Sequence, residues 1–206
     1  MNLSGLLTEG IESLRLPCTW VLLIPGVAVM LFGRRRTPLV VSAFIAVALG
    51  VVWLRWSGWW FEVPSGFTQI SIGVVIIAGA GLAWKLDRGV TDALSAGITG
   101  GAAAWAWIPC VGNDLAGLLN SDWDTTAEKV ANFPGTAFFM LGQFLPFILL
   151  AAAGVLVPQL SERLQHRHII TVGAVLIGLV GLAFVTQQFD DLASELARRS
   201  NPADLS

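Results

Sequence analysis

Apolar residues along this chain gather into six long stretches, over residues 17–33, 38–54, 70–86, 93–119, 134–158 and 169–186. Each approaches the roughly 20 residues that a helix needs to cross a hydrocarbon core of about 30 Å. None alternates apolar with polar positions as a barrel strand does, and backbone in lipid must satisfy its own hydrogen bonds, so the pattern predicts helices. The expected fold class is an all-α membrane protein of six transmembrane helices. Ahead of the first stretch, Ser4, Thr8, Glu12 and Arg15 recur every three or four residues and form one polar stripe on a helix. That stripe is either the solvated face of an interfacial helix or the lining of a cavity. Residues 1–16 carry Glu9 and Glu12, no basic n-region and no small-residue cleavage site, and so read as part of the mature chain rather than a signal peptide.

The stretches fall into two sets of three. Residues 70–84 (ISIGVVIIAGAGLAW) and 170–184 (ITVGAVLIGLVGLAF) share seven identities in fifteen positions, including Gly73 with Gly173 and Gly81 with Gly181. Ser42-Ala43-Phe44 matches Thr136-Ala137-Phe138 at an offset of 94, and two Pro-Cys pairs match at an offset of 92. The ordered offsets predict a first three-helix repeat over 1–92 and a second over 93–206 that ends in a short polar tail. Three spans is an odd number, so the second repeat enters from the opposite side, related to the first by a pseudo-two-fold axis in the membrane plane.

Composition agrees with lipid as the solvent. The chain is 55% hydrophobic and 13% charged, where about a quarter is usually charged in soluble domains, and its mean hydropathy is +0.72. Arg34, Arg35, Arg36, Lys85, Arg88, Arg163 and Arg167 follow stretches one, three and five, whereas the loops after two and four offer Arg55 and Lys129. Because basic residues in short loops stay cytoplasmic, this asymmetry places both termini outside. Trp56, Trp59, Trp60 and Trp123 suit the outer interface and Trp84 the inner one. No basic patch with interleaved aromatics points to nucleic acid.

The candidate chemistry lies in the only two cysteines. Cys18 stands in Leu16-Pro17-Cys18-Thr19-Trp20 and Cys110 in Ile108-Pro109-Cys110-Val111-Gly112. A single membrane cysteine is ordinarily a small hydrophobe, but matched placement in two repeats argues for a pair. Proline disfavours helix in the residue before it and suits the first position of a new helical segment. Stretches one and four are therefore expected to break at their Pro-Cys, with cysteine in a restarted first turn. Unpaired N–H groups there favour thiolate, the nucleophile in disulfide exchange, while desolvation opposes it. Residues 97–104 are glycine- and alanine-rich, which allows close helix approach.

At these residues the chain resembles the CcdA family and the membrane domain of DsbD, thiol-disulfide electron carriers of bacterial membranes involved in cytochrome c biogenesis. Pro17-Cys18 leading to Ile24-Pro25-Gly26 is similar to the family's first signature. Gly101 followed by Trp107-Ile108-Pro109-Cys110-Val111-Gly112 resembles the second, and Gly142-Gln143-Phe144-Leu145-Pro146-Phe147 the Gly-x-x-x-Pro-Phe of span five. The family has a further proline three residues after each cysteine, where this chain has Val21 and Asn113, and its first half-helix is apolar, where this chain has Glu9, Glu12 and Arg15. The resemblance implies a thiol-disulfide oxidoreductase of the bacterial cytoplasmic (inner) membrane with Cys18 and Cys110 as catalytic residues. Pro17, Pro109, Pro25, Gly112 and Pro146 would shape the breaks and support them. A cytoplasmic thioredoxin would reduce the pair, and the pair would reduce an extracytoplasmic thioredoxin-like protein. That exchange needs no metal and no organic cofactor.

Asp114, four residues beyond Cys110, is either a proton exchanger for a thiol or a wet residue where the span leaves the membrane. Gln143 is expected to make an interhelical hydrogen bond. His166 and His168 at i, i+2 cannot share a helix face and are not read as a metal site. The alternative function is a small-solute or metal-ion transporter, since inverted repeats with broken helices also build transporters.

Overall fold

The computed structural model describes residues 2–32, 37–58, 66–86, 89–107, 112–156 and 167–200, and every regular element among them is helical. The helices are α1 (Leu3–Glu12), α2 (Trp20–Phe32), α3 (Thr37–Trp56), α4 (Gly66–Leu86), α5 (Gly89–Ala106), α6 (Asn113–Leu119), α7 (Thr126–Leu156), α8 (Arg167–Val185) and α9 (Gln188–Ser200). By length and apolar character, Pro38–Trp56 and Thr126–Ala153 can each cross a membrane. The segments Leu3–Arg15 and Pro17–Leu31 make a third span if they are counted together, although they meet at 91°. Gly66–Gly81 and Thr171–Val185 are apolar but shorter.

Much of the helical surface that faces outward is hydrophobic. Trp20, Ile24 and Val27 on α2, Val74, Val75 and Ile77 on α4, and Val172, Val175, Leu179 and Leu182 on α8 are all exposed. Apolar area on this scale is what a lipid or partner surface covers, not what water tolerates. The interior meanwhile holds polar residues, among them Gln69, Asp92, Ser95, Thr99, Thr136 and Gln143.

Packing is densest between α3 and α5, then between α4 and α8, α1 and α7, and α2 and α8. Lipid tails are as apolar as leucine, so helices in a membrane associate through close fit more than through burial. Glycine supplies that fit at three crossings. Gly10 of α1 lies on the Phe139 carbonyl and on Gly142 of α7, leaving no room for a Cβ at either glycine. A Cβ on Gly100 of α5 would meet the Phe44 carbonyl of α3 at 2.6 Å, and one on Gly73 of α4 the Gly181 carbonyl of α8 at 2.5 Å.

The sequence expectation for the end of the chain changes here, while two prolines and a tryptophan gain structural detail. Pro25 and Pro146 lie inside the continuous helices α2 and α7 and break neither. Trp56 is partly buried against Trp107 and Phe139, with centroids 6.1 and 6.3 Å away. The segment expected as a short polar tail is the helix α9, whose Phe189 and Ala193 are buried. Phe189 stacks on Phe184 at 4.2 Å. Gln187, at φ 61°, ends α8 in the left-handed conformation that a helix C-terminus commonly uses, and so turns α9 back.

Candidate functional site

The first Pro-Cys sits at the 91° bend between Leu3–Arg15 and Pro17–Leu31. Leu16, at φ −92° and ψ 138°, is extended, as a residue before proline is pushed to be, and Pro17 opens a 3-10 turn over Pro17–Thr19. The preceding helix has already tightened into a 3-10 turn over Ser13–Arg15. The Ser13 carbonyl accepts both the Leu16 N–H at 2.9 Å and the Thr19 hydroxyl at 2.7 Å. The Ser13 hydroxyl donates to the Gly10 carbonyl at 2.7 Å and accepts from Gln143 Nε2 of α7 at 3.1 Å. Gln143 thus makes the interhelical bond expected of it, and the acceptors freed by the break are taken up locally. α9 packs against the turn that carries Cys18.

Cys18 is 1% exposed, lies 3.9 Å from the Thr19 hydroxyl, and is disulfide-bonded. The sequence has one other cysteine, Cys110, which with Pro109 lies outside the described residues.

The second break is flanked by two helix ends that borrow their caps from the other half of the chain. α5 ends at Ala106, and Arg55, in the last turn of α3, donates to the carbonyls of Trp105 at 2.6 Å and Trp107 at 2.7 Å. A guanidinium at this point satisfies terminal carbonyls and opposes the negative end of the helix dipole. The residue assigned from sequence to an outer loop is therefore a helix cap. Past the break, Gly112 is extended at φ −101° and ψ 179° and precedes α6. The Glu9 carboxylate of α1 accepts the N–H of Asp114 at 2.7 Å and of Leu115 at 2.8 Å. A carboxylate there meets orphan donors and the positive end of the dipole. Gly112 makes room for it, since a Cβ would stand 2.5 to 2.7 Å from Glu9.

Asp114, singled out from sequence for proton exchange, directs its carboxylate to Asn2 Nδ2 at 3.2 Å. Asn2 in turn caps α1 by accepting the Gly5 N–H at 3.1 Å. The polar stripe of Ser4, Thr8, Glu12 and Arg15 is exposed along its length, and Glu9, off the stripe, carries the contact to α6. A cavity of about 470 Å³ lies between the breaks, with Glu9, Glu12, Ser13, Arg15 and Leu16 from the first and Gly112 and Asn113 from the second.

Sequence reasoning did not assign Glu9, Ser13, Thr19 or Arg55 to this site, nor Asp92 to the interior. Glu9 was visible in the sequence only as one of three charged residues, with Glu12 and Arg15, in the half-helix before Cys18. No signal in the sequence pairs it with a helix more than 100 residues away. Among the described residues no cluster of three or more His, Cys, Asp or Glu side chains could hold a metal ion. No protein family matches the chain, and no curated protein or solved structure matches it either.

Proposed function

We propose that this chain is a membrane-embedded thiol-disulfide electron carrier in which Cys18 and Cys110 alternate between disulfide and dithiol. A cytoplasmic thioredoxin supplies the reducing equivalents, and an extracytoplasmic thioredoxin-like protein receives them. The observation that carries the reading is Cys18 itself: buried, disulfide-bonded, and placed in the turn at the 91° bend. In each exchange a donor thiolate attacks one sulfur of the disulfide and the other leaves as thiolate. The donor's second thiol then resolves the mixed disulfide. Two electrons and two protons pass from the donor dithiol to the carrier.

Delivery to both faces calls for an inverted architecture of six spans, and the helix pairings support one. Exchange of the two halves turns α1 into α5, α2 into α6, α3 into α7 and α4 into α8. Under it the α3–α5 contact becomes α7–α1, α2–α5 becomes α6–α1, and α2–α3 becomes α6–α7, and each of these pairs is in contact. The α3–α7 and α4–α8 pairs map onto themselves, as contacts on a pseudo-two-fold axis must, whereas α2–α8 and α4–α5 have no counterpart of similar extent at α6–α4 or α8–α1.

The test is thiol trapping of the purified chain under denaturing, non-reducing conditions, before and after incubation with thioredoxin and its reductase. The oxidised protein is expected to take up no alkylating reagent and the reduced protein two equivalents. Two free thiols in the untreated protein, or undiminished electron transfer by Cys18→Ser, would falsify the reading.

A further inference from the structure

The two breaks are joined not only through sulfur. Glu9 lies nine residues before Cys18, and the donors it binds begin four residues after Cys110. Its two hydrogen bonds span 105 and 106 residues of sequence. The helix they cap, α6, has seven residues, too few to be stable alone, so its first turn depends on an outside acceptor. A second tie runs the other way, from Asn2 of α1 to Asp114 of α6. Gly112 forms the floor on which the carboxylate rests.

We infer that Glu9 is a positioning residue, a clasp that holds the two Pro-Cys breaks together when the disulfide is open. The inference rests on the carrier reading above. In the dithiol state nothing covalent joins Cys18 to Cys110, and their tendency to close is set by their effective concentration. A carboxylate that fixes one break on the other raises that concentration, because the ordering of the two segments is already complete before the sulfurs meet. The disulfide is then stabilised, and the potential of the pair is more negative than it would be without the clasp. Charge-assisted bonds of this kind are about twice as strong as neutral ones.

The experiment measures the equilibrium of the Cys18–Cys110 couple against dithiothreitol buffers, with the full chain in lipid nanodiscs. Each carrier disulfide reduced consumes one dithiothreitol dithiol and yields one oxidised dithiothreitol. Glu9→Ala is expected to lower the equilibrium constant for disulfide formation about tenfold, which makes the potential less negative by about 30 mV. Gly112→Ala attacks the same contact from its other side, since its Cβ displaces the carboxylate while the backbone at φ −101° accepts alanine. It is expected to give a similar shift alone and none in the Glu9→Ala background, because the two changes remove one interaction. Glu9→Gln, which keeps one acceptor oxygen, falls between.

If wild type titrates reversibly and Glu9→Ala, Glu9→Gln and Gly112→Ala titrate with it, the clasp is overturned and the carrier stands. Additive shifts in the double variant would also overturn it, by placing the effect of Gly112 in the backbone. A wild-type protein with no reversible titration removes the carrier reading and this one together.

Discussion

At the scale of single residues, the bend at Pro17 poses an asymmetry between donors and acceptors. Gln143 is wholly buried, its Nε2 bound to Ser13 and its Oε1 without a partner among the described residues. Removing an orphaned polar group is cheaper than creating one. Gln143→Leu takes away one bond and one unsatisfied oxygen together, and the Ser13 hydroxyl keeps the Gly10 carbonyl. Its unfolding free energy is expected to stay within about 1 kcal/mol of wild type. Ser13→Ala leaves the whole buried amide of Gln143 unpaired and is expected to cost roughly 1–3 kcal/mol. Unfolding of both variants in detergent, followed by circular dichroism, orders them; an equal loss would mean that Gln143 packs and does not bond. The same logic applies to Trp107, whose buried Nε1 has no partner among the described residues while its ring stacks on Phe139 at 6.2 Å. Trp107→Phe keeps an aromatic ring and deletes the orphan donor.

At the scale of elements, helix ends in this chain are finished from afar, and that is where the sequence was least legible. The break at Pro17 follows from a local rule about the residue before proline, and the restart at Gly112 and Asn113 follows a second Pro-Cys. The first was readable from the sequence; at the second the Pro-Cys lies outside the described residues, and α6 begins at Asn113, three residues past the cysteine that was expected in its first turn. The caps were not readable: Arg55 looked like a loop charge and Glu9 like an anomaly, because only the folded chain brings them to α5 and α6. Replacing Arg55 with methionine removes charge-assisted bonds to two carbonyls and is expected to cost roughly 1.5–3 kcal/mol. Hydrogen exchange should quicken in the last turn of α5 and not in α8; protection unchanged there would sink the capping role. α9 was legible but unread, since Phe189, Leu192, Ala193 and Leu196 fall at i, i+3, i+4 and i+7. Its Glu195 is held below the ordinary carboxylate value by Arg199 and then Arg198. A pKa lowered on folding stabilises the helix above the unfolded value and ceases to as pH falls through the folded one. α9 packs over the Pro17–Thr19 turn. In reduced protein, Phe189→Asp is expected to speed alkylation of Cys18 at pH 7, and an unaltered rate would show that α9 does not shield the thiol.

At the scale of the whole molecule, periodicity alone gave the helical class and the order of the elements. It could not give their reach. Two helices cross a membrane by length and apolar character, and the first broken pair is bent by 91°, so a count of spans depends on how bent and short helices sit in lipid. Hydropathy windows sum over residues and are blind to a bend. In the carrier reading the count is six, and that reading has a consequence that labelling can check. An even number of spans returns the chain to its starting side, so the two ends must share a face, opposite to the basic loops. In a Cys18→Ser, Cys110→Ser background, single cysteines at Asn2 and Ser200 are expected to react with an impermeant maleimide added outside intact cells. Cysteines at Arg35 and His166 are expected to react only after permeabilisation. Opposite sidedness of Asn2 and Ser200 would mean an odd number of spans. The two halves would then cross the membrane unequal numbers of times, and one Pro-Cys pair could not be offered to both faces by exchange of equivalent halves.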